Sequence, residues 1–290
     1  VANQVIEKVG NHEQSIILHP RSNALGVAGS AVTDELLEVG FLLETSNAVC
    51  VTGDDPCSQK DVSQLESVAQ DLRTIIEICT EPDSALGHRA ITQKYGCRVL
   101  RITEQDDVSS AHGLTKIRGA MIGNYALWIS IPCTGGSPWQ TVNQAKSEQT
   151  RARIDDHWRT FQKIWAPIAD IADEAIINGR PVYFEWPRAC RYWNCDQFVA
   201  FQRRHGGIPI DLDGCRYGVK PTQKKTHGMP IKKPWRIMAY NSTPTGGLQL
   251  RCNHRAAEHA WAQGRDTNNT GRYPIALVTA IHEQVLEDSA

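Results

Sequence analysis

The sequence predicts an α/β fold in which a mostly parallel sheet carries helices on both faces. Three observations lead there. Apolar runs at Thr74 to Cys79, Cys97 to Ile102 and Ala126 to Ile131 have the length and composition of buried strands. A helical stretch from Ser84 to Tyr95 separates the first two, and β-α-β alternation is how a parallel sheet is built. The chain has 290 residues, 41% of them hydrophobic, which is enough for a sizeable core.

The elements follow in order. The opening to about residue 30 is rich in turn formers (Pro20, Asn23, Gly26, Gly29) and reads as an arm or irregular cap, so residues 1–60 are set apart from a domain spanning 61–290. Leu36, Leu37, Phe41 and Leu43 space a helix over Thr33 to Thr45, Gly53 to Pro56 makes a loop, and Val62, Leu65, Ala69 and Leu72 share one helical face. After the three strands, Ile154, Trp158, Phe161, Trp165 and Ile168 form one stripe of a long helix over Ala152 to Asn178, with a kink expected at Pro167. Its aromatics read as core. Gly179 closes that helix, and Pro181 to Glu185 is a further buried strand. A helix at Asp196 to Arg204, strands at Ile208 to Leu212 and Ile231 to Tyr240, and a final helix at Ile275 to Leu286 complete the pattern.

Charge and cysteine usage narrow the function class. No apolar stretch is long enough to cross a bilayer and the first ten residues lack a secretory pattern, so an intracellular protein is expected; Val1 in place of Met suggests a processed, truncated or excised chain. Nine cysteines at irregular spacings favour reduced thiols. The net charge of −1 hides an asymmetry: from Arg180 to Arg272 there are sixteen Lys/Arg against six Asp/Glu. That basic half, centred on about 206–272, has the composition of a phosphate-binding surface.

In open α/β sheets ligands bind beyond the carboxyl ends of the strands. Glu77 ends the first strand, and Ser84, Leu86 and Gly87 follow in a tight turn into a helix, an arrangement that holds a nucleoside-bearing cofactor. The third strand runs into Pro132-Cys133-Thr134-Gly135-Gly136-Ser137, where small neighbours leave a cysteine open to a ligand. Glu185 stands at the end of the next strand, where a carboxylate must meet a cation or serve a ligand. Cys252-x-His254-x4-His259, with Cys190, Cys195 and Cys215 elsewhere in the second half, suggests zinc, but the cluster itself supplies three ligands where a closed site needs four and no matching second pair follows, so helix-surface histidines are the plainer reading.

Taken in order, these segments resemble the C5-cytosine DNA methyltransferases. Pro132 to Ser137 is similar to that family's Pro-Cys-Gln-Gly-Phe-Ser nucleophile loop, and Phe184-Glu185-Trp186-Pro187 to its Glu-Asn-Val segment. Tyr217-Gly218-Val219 followed by Pro230 to Met238 resembles the family's Tyr-Gly-Val-Pro-Gln-x-Arg-x-Arg strand pair, with an insert at Lys220 to Met229. Asn269 to Pro274 resembles its closing Gly-Asn-x-x-Pro-Pro segment. The resemblance covers about residues 70 to 286 and departs from the family in lacking most cofactor glycines and a full target-recognition domain.

It implies a Rossmann-like class I methyltransferase fold using S-adenosylmethionine, with nucleic acid, DNA favoured, as substrate and no membrane partner. Cys133 is then the nucleophile at cytosine C6, Glu185 the acid at N3, and Arg236 a stabiliser of the base carbonyl and phosphate. Glu77, Ser84, Leu86, Gly87, Asp107 and Pro132 would hold the cofactor, with Glu104 in place of the ribose-binding acid because Arg101 ends the second strand. Ser137, Lys224, Lys225, Lys232 and Lys233 would meet nucleic acid. Two other readings stay open: an RNA cytosine acceptor, and a catalytically inactive nucleic-acid-binding module that keeps the fold.

Overall fold

A computed structural model describes residues 72–289 except 223–225, 227, 261 and 263–264. The described residues fall within one compact unit. The expected arm over 1–60, the helix at 33–45 and residues 62–71 of the next helix lie outside the described residues.

Six strands form one sheet in the order β2-β1-β3-β4-β6-β5. Strands β1 (Arg73–Ile78), β2 (Cys97–Ile102), β3 (Tyr125–Ile129) and β4 (Val182–Pro187) are parallel. Strand β6 (Pro234–Tyr240) runs antiparallel to both neighbours, β4 and β5 (Ile208–Asp213). The mostly parallel α/β sheet expected from the sequence is thus present, with one reversed strand next to its β5 edge. Pro209 sits on the edge strand β5, the position a residue without an N–H tolerates.

Alternation along the strands builds two cores. Ile76, Ile78, Leu127, Ile129, Phe184 and Trp186 face one side, where they meet α2 (Ala111–Ala120), α4 (Glu148–Ile177) and α5 (Asp196–His205). Ile75, Ala126, Trp128, Tyr183 and Ile237 face the other, against the helix α7 (Ile275–Asp288) and Ile91 of α1 (Arg89–Lys94). Helices therefore cover both faces. The stripe on α4 is core: Ile154, Phe161, Trp165 and Ile168 are buried, and Trp158 packs edge-on against Tyr192 at 4.7 Å. The helix starts where the Ser147 hydroxyl accepts from the Thr150 N–H, and it runs through Pro167 as one element. No helix among the described residues is long and apolar enough to cross a membrane.

Several elements differ from expectation: the strand expected from Ile231 begins at Pro234, with Ile231 making an isolated bridge to Ala260, and the short helices α3 (Trp139–Asn143) and α6 (Arg265–Asn269) have no counterpart in the sequence pattern. The single helix over Ser84 to Tyr95 is instead a 3-10 turn at Ala85–Gly87 and the short α1, separated by His88 in an extended conformation. Arg101 accounts for the tightness of the turn: its guanidinium donates to the Ser84 carbonyl at 3.0 Å and fills the space a side chain at Gly87 would need. Helix α2 has no counterpart in the periodicity reading, because its buried face is only Gly113, Ile117 and Ala120.

The chain leaves β1 toward β2 on one side and returns across to β3 on the other. Strand order thus reverses between β1 and β3, the point where a crevice opens at the carboxyl ends.

Candidate active site

A cavity of about 350 Å³ lies at that reversal. Each strand end contributes. β1 brings Glu77 and Cys79, the turn after it Ser84, β3 brings Ser130, Pro132 and Cys133, and β4 brings Glu185. The antiparallel run of β6 starts its chain beside the end of β4, so Lys233 and Trp235 reach the same cavity. Arg272 and Tyr273, just before α7, close it.

Glu185 is the most constrained group. The Tyr273 hydroxyl donates to its Oε2 at 2.7 Å, while Oε1 is buried without a partner. The Tyr273 oxygen is held in turn by the Trp128 indole N–H at 3.2 Å and lies 3.0 Å from the Ser130 hydroxyl. Burial pushes the Glu185 carboxyl above its ordinary range, opposed by the Tyr273 hydrogen bond and by Lys233. Replacing Tyr273 with Phe removes that opposing bond. Glu185 is then expected to keep its proton to higher pH, a shift that carboxyl-carbon NMR titration reads directly, and an unchanged titration would show that the tyrosine does not tune it.

Across the cavity Glu77 repeats this design. The Ser84 hydroxyl donates to its Oε1 at 2.6 Å, and Oε2 is buried without a partner. Burial raises its carboxyl, with Ser84, Thr80 and Arg101 acting the other way. The next residue but one, Cys79, holds a left-handed φ of 63°, a strained conformation of the kind that gathers at working sites.

Cys133 is half-buried at the cavity wall, its thiol pushed up to about 11 by burial and by the charge of Glu185, with Lys233 pulling it down. It is therefore a neutral thiol at pH 7. The two glycines that follow it are required by packing. A Cβ at Gly135 would stand 2.6 Å from the Tyr192 hydroxyl, and one at Gly136 would stand 2.5 Å from the Cys190 sulfur. The loop is also fixed by the Arg191 N–H donating to the Gly136 carbonyl at 2.7 Å and by the Trp186 indole donating to the Ile131 carbonyl at 2.8 Å. Gly136→Ala is expected to cost about 1–3 kcal/mol through overpacking, read as a fall in denaturant midpoint. An unchanged midpoint would mean the loop moves freely.

Of the residues singled out from sequence, Glu77, Ser84, Pro132, Cys133, Glu185 and Lys233 line this one cavity. The others stand elsewhere. Leu86 is fully buried in the core, its carbonyl 2.9 Å from the His282 ring. Gly87 faces Arg101. Glu104 is exposed on a 3-10 turn outside the cavity lining, and Asp107 turns back to accept from the Ser109 N–H and hydroxyl at 3.1 and 2.6 Å. Arg236 is engaged by Asp211 through two hydrogen bonds of 2.7 and 3.1 Å, because the two residues pair across β5 and β6. It is outside the lining, and Lys233 supplies the cation there instead. Ser137 is half-buried in the turn after Cys133, and Lys232 is exposed. Lys224 and Lys225 lie outside the described residues.

Ion pairing also absorbs part of the basic second half. Arg188 and Arg251 pair with Asp213, Arg204 with Asp173, and Arg272 with Asp83. Tyr273 and Ser130 escaped the sequence reading as site residues. The one available signal for Tyr273 was its place in the Asn269 to Pro274 segment.

No protein-family model, curated protein or solved structure matches this chain.

Proposed function

We propose that the protein is an S-adenosylmethionine-dependent methyltransferase acting on C5 of cytosine in nucleic acid, DNA being favoured. The observation that carries this reading is the convergence of Cys133, Glu185 and Glu77, from three different strand ends, on one cavity at the point of strand-order reversal.

The cavity fits part of the cofactor. Glu77 offers an acidic oxygen with no partner, suited to the ammonium or sulfonium end, and Ser84 and Pro132 border the same space. Glu104 and Asp107 contribute nothing to it in this arrangement, which leaves the ribose and adenine without assigned acidic partners. When bound, the cofactor supplies an activated methyl group.

The chain's own residues account for the rest. Glu185, whose carboxyl burial pushes toward its protonated form, would donate from its free oxygen to N3 of a cytosine, and this proton would make C6 electrophilic. A protonated Glu185 also withdraws the negative charge that raises the Cys133 thiol, leaving Lys233 to favour the thiolate. The Cys133 thiol would give its proton to solvent and add as thiolate to C6, making C5 nucleophilic toward the methyl that a bound cofactor would supply; release of the C5 proton to water would then break the C6–S bond, and the N3 proton would return to Glu185. A duplex would need its base flipped into the cavity, whereas a single strand would not.

Calorimetry with S-adenosylmethionine, followed by trapping on 5-fluorocytosine oligonucleotides, tests the reading. Binding that survives Cys133→Ala, together with a denaturation-resistant adduct that requires Cys133, is the expected result. Folded protein that binds no cofactor would overturn the enzyme reading. Cofactor binding without any adduct on DNA would redirect it to RNA or another acceptor.

A further inference from the structure

Sequence spacing gave Cys252, His254 and His259 no fourth ligand. The fold provides one. Cys215, 37 residues before Cys252 in the chain, lies in the 3-10 turn Gly214–Tyr217 that follows β5, and its sulfur joins the other three. One ligand atom from each of the four residues lies within 4.8 Å of every other. The Cys252 sulfur is 3.4 Å from His254 Nδ1 and 3.2 Å from His259 Nε2. A tetrahedral zinc with the usual Zn–S and Zn–N bond lengths places its ligand atoms about 3.3–3.8 Å apart, so the cluster is near that size before any ion draws it together.

We infer that Cys215, Cys252, His254 and His259 form a structural Zn²⁺ site that ties the turn after β5 to the loop beyond β6. The chemistry of the cluster favours a soft divalent cation. Two sulfurs and two imidazole nitrogens gather around one point. Two thiolates balance the charge of one Zn²⁺, and a closed S₂N₂ set leaves no position for a substrate, which marks a structural site.

The surrounding backbone is already arranged for it. The Cys252 N–H donates to Asp213 Oδ2 at 2.9 Å, and the Asp213 N–H donates to the Leu250 carbonyl at 3.0 Å. Arg216 donates to the Arg251 carbonyl at 3.0 Å and to Asn253 Oδ1 at 3.1 Å. Beyond His259, Ala260 bonds to the Pro230 carbonyl at 2.9 Å and bridges Ile231. The ion would therefore brace a region of turns and loops that lead Lys233 into the cavity.

His254 and His259 are not helix-surface residues, as their spacing suggested. They flank the 3-10 turn Ala256–Glu258, which brings both rings toward the sulfurs with their centroids 5.4 Å apart.

Elemental analysis of the full chain, purified under reducing conditions, is expected to find one zinc per molecule. Replacement with Co²⁺ alone is expected to give thiolate charge-transfer absorption and visible bands of tetrahedral intensity. His254 is exposed, so His254→Gln should keep the fold while weakening Co²⁺ binding by at least roughly tenfold, the loss that even outer-shell changes cause. Chelation should lower the melting temperature of the wild type and leave that of a folded Cys215→Ser/Cys252→Ser variant unchanged. Folded, reduced protein with no zinc and no cobalt spectrum would overturn the assignment, as would a Cys215–Cys252 disulfide found by peptide mapping. None of these readouts depends on methyl transfer.

Discussion

On the proposed methyltransferase reading, Glu185→Gln is expected to slow methyl transfer sharply and, at the same time, to make the protein more stable at neutral pH. The activity loss should be about 10²–10⁴-fold, because the amide cannot deliver a proton to N3. Cys133→Ser should be more severe, on the order of 10⁶-fold, as removal of a nucleophile is. The stability gain has a separate origin. Burial raises the Glu185 carboxyl above its unfolded value, so its contribution to stability is fully present below about pH 4.5 and is lost as pH rises through the folded-state value. A glutamine escapes that loss. The melting temperature of the variant should exceed that of the wild type at pH 8, by about 2–4 °C for each kcal/mol recovered, with the difference closing toward pH 4. An equal melting temperature at both pH values would show that Glu185 is compensated in the folded state, and retained activity would remove it from the chemistry.

Trp186→Ala is expected to cost about 3–5 kcal/mol, the range for truncating a buried tryptophan, and so to lower the melting temperature by about 6–20 °C. Trp186 is 1% exposed and lies among Phe161, Phe184, Tyr192, Trp193 and Phe198, with ring centroids 4.6–6.2 Å away. Its indole N–H also holds the Ile131 carbonyl, two residues before Cys133. Trp186→Phe separates these roles: the ring volume largely remains, and the unpartnered carbonyl costs about 1–3 kcal/mol. If the hydrogen bond positions the loop, this variant loses kcat while cofactor affinity is unchanged. A kcat equal to wild type would reduce Trp186 to packing alone.

Strand β2 was legible to the residue, because alternation over Cys97 to Ile102 follows directly on Gly96, whose φ of 55° marks the turn. The long helix α4 was legible because its apolar stripe repeats over many turns and Gly179 ends it. Helix α2 was not, since Gly113 lies in it for a reason periodicity does not carry: a side chain there would meet the Asp106 and Asp107 carbonyls at 2.6 Å. In the candidate site, Cys133 and Glu185 could be read from their places at strand ends, and Glu77 likewise. Lys233 and Tyr273 could not be assigned to the cavity that way, because they arrive from later segments. Asp211 claims Arg236 by cross-strand pairing, which a one-dimensional reading does not see. The same limit left Cys215 undistinguished from Cys190 and Cys195 as a further ligand, since it meets Cys252 only once β5 and β6 are paired.

The reversed strand has a consequence for synthesis. β5 joins the sheet only through β6, and β6 is complete only at Tyr240. While a ribosome is still producing the residues between them, β4 remains an open edge carrying Val182, Tyr183, Phe184 and Trp186. An unpaired apolar edge is a template for pairing with other chains. Any nascent or truncated form ending before Tyr240 should therefore associate through β4, and the late strand works as the molecule's own guard against doing so.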